Sequence, residues 1–140
     1  MKIAIVDYKL SNTFSLINAL TYLNLDSIVT SDKKVIHSSD ALILPGVGSF
    51  PEAMQQLKKH DLIEPIKKFI NTGKPFLGIC LGFQLLFNES YEFKKTNGLG
   101  ILNGKVLKFD ENKLKVPHIG WNYVNIINNS QIYGIKSNLS

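Results

Sequence analysis

The sequence predicts an α/β fold: a mostly parallel sheet with helices on both faces, followed by a small antiparallel β extension. From Ile3 to Phe87, apolar runs of strand length alternate with segments whose apolar residues recur at helical spacing. Two of these runs end in glycine-containing loops, and the loops at the carboxyl ends of parallel strands are where such folds place their active sites. After residues 97–100 the pattern changes to short β-rich pieces between polar turns. These pieces, at residues 101–102, 105–109 and 122–127, form the predicted antiparallel extension.

Length and composition indicate one globular domain over residues 1–140. Hydrophobic residues make up 44% of the chain and charged residues 19%, and no apolar run is long enough to cross a bilayer. No signal peptide is visible after Met1, and a single cysteine, Cys80, excludes an internal disulfide. A reducing, cytoplasmic location is therefore expected.

The net charge of +5 does not by itself indicate nucleic-acid binding. All sixteen basic residues are lysines, and many lie in pairs, such as Lys33-Lys34 and Lys67-Lys68, that are typical of solvated faces. Arginine, whose bidentate fork suits phosphates and base edges, is absent. We expect no nucleic acid or membrane as a partner, and neither a metal nor a cofactor.

Apolar patterns predict the first three strands and the first helix. Lys2–Val6 is a continuous apolar run, as in a parallel strand that is covered on both faces. After a turn at residues 7–12, apolar residues at helical spacing predict a helix from Phe14 to about Asn24. Residues 27–30 and Ala41–Leu44 are the second and third predicted strands.

The next helix is predicted from its start signals. Ser49 and Glu52 have the spacing of a capping box, with Pro51 in the first turn. A break near residues 60–61 separates this helix from a second helical segment. This segment ends at residues 72–75, where a glycine and a proline interrupt the helix.

The chain is organised around residues 75–87, an apolar strand that runs into Cys80 and leaves it as a helix. Gly78 and Gly82 stand two positions before and after the cysteine, where side chains would collide on a sharp strand-to-helix turn. The pattern predicts a nucleophile elbow with an exposed thiol, whose thiolate form the free N–H groups of the helix would favour. The Leu81 N–H would point where an oxyanion forms, so the stretch suits acyl transfer through a thioester. A buried, inert cysteine is the alternative.

Three ordered motifs resemble those of class I, triad-type glutamine amidotransferases. Gly-Ile-Cys-Leu-Gly-Phe-Gln-Leu-Leu at residues 78–86 resembles the nucleophile motif, and Leu-Pro-Gly-Val-Gly-Ser-Phe at residues 44–50 resembles the oxyanion loop. Val-Pro-His-Ile-Gly-Trp-Asn at residues 116–122 resembles a segment peculiar to the glutaminase subunits of imidazole glycerol phosphate synthase. The resemblance covers most of the chain and implies a flavodoxin-like fold.

The resemblance also implies an activity and its site. Cys80 would attack the side-chain amide of glutamine, and the ammonia would pass to a synthase (cyclase) subunit that forms a heterodimer with this one in histidine biosynthesis. The implied oxyanion-hole residues are Leu81, Val47 and Gly48, and the implied substrate-binding residues are Gly46 and Gln84. The implied partner interface consists of His118, Trp121 and Asn122. His118 is not assigned as the general base, and His37 and His60 have the polar, lysine-flanked surroundings of surface histidines.

Two departures from the family pattern leave alternatives open. The general-base histidine and glutamate of the family come from a segment that follows residue 140 by resemblance, so we expect the chain to be the N-terminal portion of the domain with an incomplete triad. In the turn at residues 7–12, Lys9 and Ser11 stand where the histidine-pathway enzymes usually have glycine. A glutaminase for surface-sugar amidation and a non-catalytic interaction module are therefore the alternatives.

Overall fold

The computed structural model of the chain describes residues 1–110, 112–113, 115–117 and 119–123. The chain divides into two units, Met1–Lys108 and Phe109–Ser140. The helices and strands assigned in the described residues all lie in the first unit. In chain order they are β1 (Lys2–Val6), α1 (Thr13–Tyr22), β2 (Asp26–Thr30), α2 (Lys33–Ser38), β3 (Ala41–Leu44), α3 (Phe50–Lys59), α4 (Ile63–Ile70), β4 (Phe76–Gly78), α5 (Leu81–Gln84), β5 (Phe87–Ser90), β6 (Thr96–Asn97) and β7 (Leu102–Val106).

The first four strands form a parallel sheet in the order β2-β1-β3-β4. Alternate residues of each strand point to opposite faces, so each face has its own apolar cluster. Ile3, Ile5 and Ile43 pack with Leu20 of α1 on one face. The other face packs against the remaining helices. Its buried residues include Ala4, Val6, Leu42, Leu44, Ile36, Phe50, Leu57, Ile66, Phe69 and Leu81. The predicted parallel sheet with helices on both faces is confirmed.

Two features of the helices differ from what the sequence pattern indicated. The sequence pattern did not indicate α2, because Ile36 is the only buried residue of this short helix and no apolar period is visible. The capping box of α3 is not formed, since Ser49 is the N-cap but makes no side-chain cap hydrogen bond. Instead, the Glu92 carboxylate accepts a hydrogen bond from the Phe50 N–H at 2.7 Å. A residue distant in sequence therefore caps the helix that follows the loop after β3.

The helix that leaves Cys80 is a single turn, α5, and a strand follows where the pattern predicts further helix. The reason is a tertiary contact. The carbonyls of Leu85 and Leu86 accept hydrogen bonds from Leu99, Ile101 and Leu102 at 2.8–2.9 Å, so they are not available to extend the helix. The chain then continues as β5.

The predicted small β extension exists as a second sheet with the order β6-β5-β7. It is mixed rather than antiparallel, because β5 pairs with β6 antiparallel and with β7 parallel. The predicted pieces at residues 101–102 and 105–109 correspond to the single strand β7. The third piece, residues 122–127, lies mostly outside the described residues. Glu89 of β5 forms ion pairs with Lys105 and Lys95, and these contacts lower the pKa of Glu89 to about 2.

Candidate active site

Cys80 lies on a sharp turn between β4 and α5, with φ 53° and ψ −117°. A positive φ is uncommon for a residue with a side chain and is typical of strained functional positions. Two glycines make the turn possible. A Cβ on Gly78 would lie 2.8 Å from Cα of Phe83, and a Cβ on Gly82 would overlap the Leu44 carbonyl. Cys80 itself is exposed, so the turn has the geometry predicted for a nucleophile elbow and not that of a buried core cysteine.

The loop after β3, residues 45–48, packs directly on this elbow. A Cβ on Gly46 would lie 3.0 Å from the Gly82 nitrogen and from Cβ of Leu81, so only glycine allows the two segments to approach this closely. Pro45 and Gly46 are buried, whereas Val47 and Gly48 are exposed. The predicted oxyanion loop and the elbow are thus adjacent at the carboxyl end of the sheet.

Two of the three N–H groups predicted for the oxyanion hole, those of Leu81 and Val47, differ in their hydrogen bonding. The Leu81 N–H is at the first position of α5, where a helix offers no acceptor of its own. The Val47 N–H donates to the Leu10 carbonyl at 3.0 Å. In this conformation the Val47 amide is therefore engaged with the turn after β1.

That turn contains one of the departures from the family pattern. Lys9 has φ +72°, in the left-handed region that favours glycine, the residue that the resemblance implies at this position. The Asp7 carboxylate compensates for the lysine. It accepts a hydrogen bond from the Lys9 N–H at 3.0 Å and pairs with the Lys9 ammonium at 2.8 Å. The hydrogen bond to the Lys9 side chain, opposed in part by burial, lowers the pKa of Asp7. The two contacts of Asp7 hold the backbone and the side chain of Lys9 in this turn.

The remaining predicted site residues are the substrate-binding Gln84, the loop residue Gly48 and the three residues of the predicted partner interface. Gln84 is exposed one helical turn after the cysteine, and its N–H donates to the Cys80 carbonyl at 3.1 Å. Gly48 has φ +96°. The predicted interface residue His118 lies outside the described residues, and Trp121 and Asn122 belong to the second unit.

Neither described histidine is a partner of the thiol. His37 lies on α2 and lines an open groove of about 700 Å³ with residues of α4, and His60 is the C-cap of α3. Within the described part of the chain, the hydrogen bonds and ion pairs join no histidine to the Cys80 thiol. The described part of the candidate site therefore consists of an exposed thiol and the backbone of two adjacent loops.

Sequence reasoning missed one side chain at this site. Tyr8, just after β1, is fully buried, and its hydroxyl donates to the Pro45 carbonyl at 2.7 Å. A lone tyrosine in a polar turn gives no sequence signal for such a contact. The hydroxyl's acceptor is a main-chain group 37 positions away, which no side-chain pattern reveals.

The second unit presents large apolar side chains to solvent. Trp121 is 104% exposed, and Ile119 and Tyr123 are similarly open.

No group of three or more metal-ligating side chains occurs among the described residues. In the same part of the chain, no helix is long and apolar enough to cross a membrane.

Comparison with solved structures supports the fold. The chain superposes on a glutamine amidotransferase with a TM-score of 0.60 and 20% identity, over 74% of this chain and 55% of that one. It also superposes on a putative peptidase E protein from Listeria monocytogenes with a TM-score of 0.61 and 15% identity, over 72% of this chain and 62% of the other. At these identities the likeness shows the shared α/β architecture alone.

Comparison with curated sequences identifies the family. The chain is 52% identical over 120 residues to imidazole glycerol phosphate synthase subunit HisH of Bacillus cereus, and 49% identical over 124 residues to the HisH subunit of Sulfurimonas denitrificans. These matches cover 86% of this chain and 57% and 60% of the two relatives, so the chain spans less than two thirds of their length. The sequence profile of the CobB/CobQ-like glutamine amidotransferase domain matches residues 2–134. The chain therefore belongs to the glutamine amidotransferase family and is similar to its HisH members.

Proposed function

We propose that this chain is part of a glutaminase subunit that hydrolyses glutamine to glutamate and ammonia at Cys80 and passes the ammonia to a synthase (cyclase) subunit, in histidine biosynthesis. The observation that carries the proposal is the elbow: an exposed cysteine with φ 53°, packed between two obligatory glycines, in a chain of the glutamine amidotransferase family. The names of the relatives support the pathway.

The proposed chemistry proceeds through a thioester. The Cys80 sulfur attacks the side-chain amide carbon of glutamine, the carbonyl oxygen becomes an oxyanion, and the carbon–nitrogen bond then breaks as a proton is delivered to the leaving ammonia. Water attacks the thioester carbon next, which releases glutamate and restores the thiol. The Leu81 N–H supplies one donor to the oxyanion in both steps, and such a donor is typically worth about 10²- to 10³-fold in rate.

The second donor is proposed to come from the loop after β3, at Val47 or Gly48. The Val47 N–H donates to the Leu10 carbonyl, so it can serve an oxyanion only after that bond breaks and the Gly46–Val47 peptide turns. Gly46 lets the backbone lie close to the substrate carbonyl, and the Gln84 amide would contact the polar head of glutamine.

The proposal is tested by protection of Cys80, the single cysteine of the chain. Saturating glutamine is expected to slow alkylation of Cys80 by iodoacetamide several-fold, because the bound substrate covers the sulfur. Asparagine, which is one methylene shorter, is the matched control and should protect much less. Equal protection by both amino acids, or none by glutamine, would contradict a glutamine site at the elbow.

The partner is proposed to dock on the motif at residues 116–122. Ammonia formed in contact with water would be protonated and lost, so the active-site mouth of a glutaminase subunit needs to be covered by the subunit that consumes the product. Trp121 is 104% exposed, and tryptophan is enriched among the residues that dominate binding energy at interfaces.

We predict that Trp121→Ala weakens binding to the cyclase subunit by about thirtyfold in Kd, the equivalent of about 2 kcal/mol. Calorimetric titration of a version extended to the full length of its relatives measures the change. Tyr22→Ala removes another highly exposed aromatic ring, from α1, and should leave Kd unchanged. If folded Trp121→Ala protein binds as tightly as wild type, Trp121 is not part of the interface, and failure of the wild type to bind would refute the partner assignment.

A further inference from the structure

Tyr8 is a buried polar side chain for which the proposed chemistry has no use. Its accessible surface is zero, yet it lies at the carboxyl end of β1, at the edge of the sheet that carries Cys80. The phenol donates to the Pro45 carbonyl at 2.7 Å. A buried hydroxyl needs a partner, because a buried donor or carbonyl that is left without a hydrogen bond destabilises the native state. The hydrogen bond therefore has a definite place in the native structure.

The carbonyl that Tyr8 holds belongs to the peptide that packs on the elbow. A Cβ on Gly46 would overlap the Tyr8 hydroxyl and would also lie 3.0 Å from Cβ of Leu81. A Cβ on Gly82 would lie 3.0 Å from the Pro45 carbonyl oxygen. The Pro45–Gly46 peptide is thus enclosed by the tyrosine on one side and by residues 81–82 on the other.

Holding one carbonyl fixes a whole peptide unit, because the peptide bond is planar. The next unit, Gly46–Val47, is held by a single hydrogen bond, from the Val47 N–H to the Leu10 carbonyl. Gly46 has no Cβ to restrict rotation of that unit. The contacts therefore hold the Pro45–Gly46 peptide in the core and leave the Gly46–Val47 peptide with one bond to break before it can turn.

We propose that Tyr8 is a positioning residue for the glutaminase reaction: its buried hydroxyl holds the Pro45–Gly46 peptide against the Cys80 elbow, so that a turn of the Gly46–Val47 peptide brings its N–H to the oxyanion. The proposal rests on the proposed function and adds to it the side chain that places the second donor. Burial, together with the neighbouring Cys80, raises the pKa of Tyr8 well above its usual range, so the phenol remains a donor at neutral pH.

Two reagents for Cys80 distinguish positioning from general damage. A chloroketone analogue of glutamine forms an oxyanion at its carbonyl when the sulfur attacks, whereas iodoacetamide is displaced without one. In Tyr8→Phe we expect the maximal rate of labelling by the chloroketone to fall roughly tenfold, less than the 10²- to 10³-fold typical of a deleted donor. The half-saturating concentration and the iodoacetamide rate should not change. Tyr22→Phe, at an exposed position, is the matched control and should behave as wild type.

Different results would refute the proposed function and the positioning role of Tyr8. If wild-type protein reacts with the glutamine chloroketone no faster than with a chloroketone that lacks the amino-acid group, the proposed function fails. If wild type shows that preference and folded Tyr8→Phe labels at the same maximal rate, or loses rate equally with both reagents, the positioning role is wrong. Should Tyr8→Phe not fold, the wild-type hydroxyl proton provides the test by NMR with tyrosine labelled at Cζ. A slowly exchanging Tyr8 signal is expected, and rapid exchange with water would overturn the proposal.

Discussion

A polypeptide of these 140 residues is expected to release ammonia from glutamine at least about a thousandfold more slowly than an amidotransferase with a complete triad. The reason is that no acid or base lies beside the sulfur among the residues that the structure describes. Activation of the thiol and protonation of the leaving ammonia both need a group such as histidine next to the sulfur. The described part of the chain places His37 on α2 and His60 at the end of α3, and neither contacts Cys80. The elbow and the backbone donors alone account for the residual rate.

Glutamate formation, followed with a coupled dehydrogenase, measures this rate, and Cys80→Ser provides the baseline. We expect the wild-type chain to exceed the baseline only slightly. Cys80-dependent turnover at the rate of a complete enzyme would contradict the prediction, and it would identify a base within the chain if replacing His37, His60 or His118 by alanine abolished it. A version extended to the length of the relatives should recover full activity under the proposed function.

The parts of the fold predicted correctly from the sequence are those with local patterns. β1 and β3 are continuous apolar runs because both of their faces are covered, and α1 and α4 show helical spacing. The wrong predictions concern contacts between distant residues. The predicted capping box is not formed and the Glu92 carboxylate accepts from the Phe50 N–H at the start of α3. Residues 99–102 donate to the carbonyls of Leu85 and Leu86, which would otherwise extend α5. A local pattern cannot show which distant group competes for a backbone donor or acceptor.

The same distinction holds at the candidate active site. The elbow was predictable, because the spacing of Gly78, Cys80 and Gly82 reflects a steric requirement of adjacent residues. The bond from the Val47 N–H to the Leu10 carbonyl was not, since it joins main-chain atoms whose identity is independent of sequence. The role of Tyr8 depends on a carbonyl of another loop. The sequence therefore indicates where the candidate site lies, and the structure shows how the backbone around it is held.

Gly82→Ala is expected to lower the free energy of unfolding by about 3 kcal/mol or more, a large fraction of the roughly 5–15 kcal/mol typical of a domain. The new methyl group would overlap the Leu44 carbonyl oxygen and lie 2.7 Å from the carbonyl carbon. Backbone atoms in the middle of a sheet cannot move aside as a flexible side chain would. The elbow must separate from β3, which also moves the loop at residues 45–48 away from Cys80.

Urea unfolding of three alanine variants separates this collision from other effects of replacing glycine. Gly48→Ala has open space around the new methyl group but a φ of +96°, so it should lose only about 1–2 kcal/mol through backbone strain. Gly120→Ala meets nothing within 4 Å and has no positive φ, so it should be nearly neutral. If Gly82→Ala unfolds at the same urea concentration as Gly120→Ala, then β3 and the elbow are not in the close contact described. If it matches Gly48→Ala, the cost is that of backbone strain and not of a collision with Leu44.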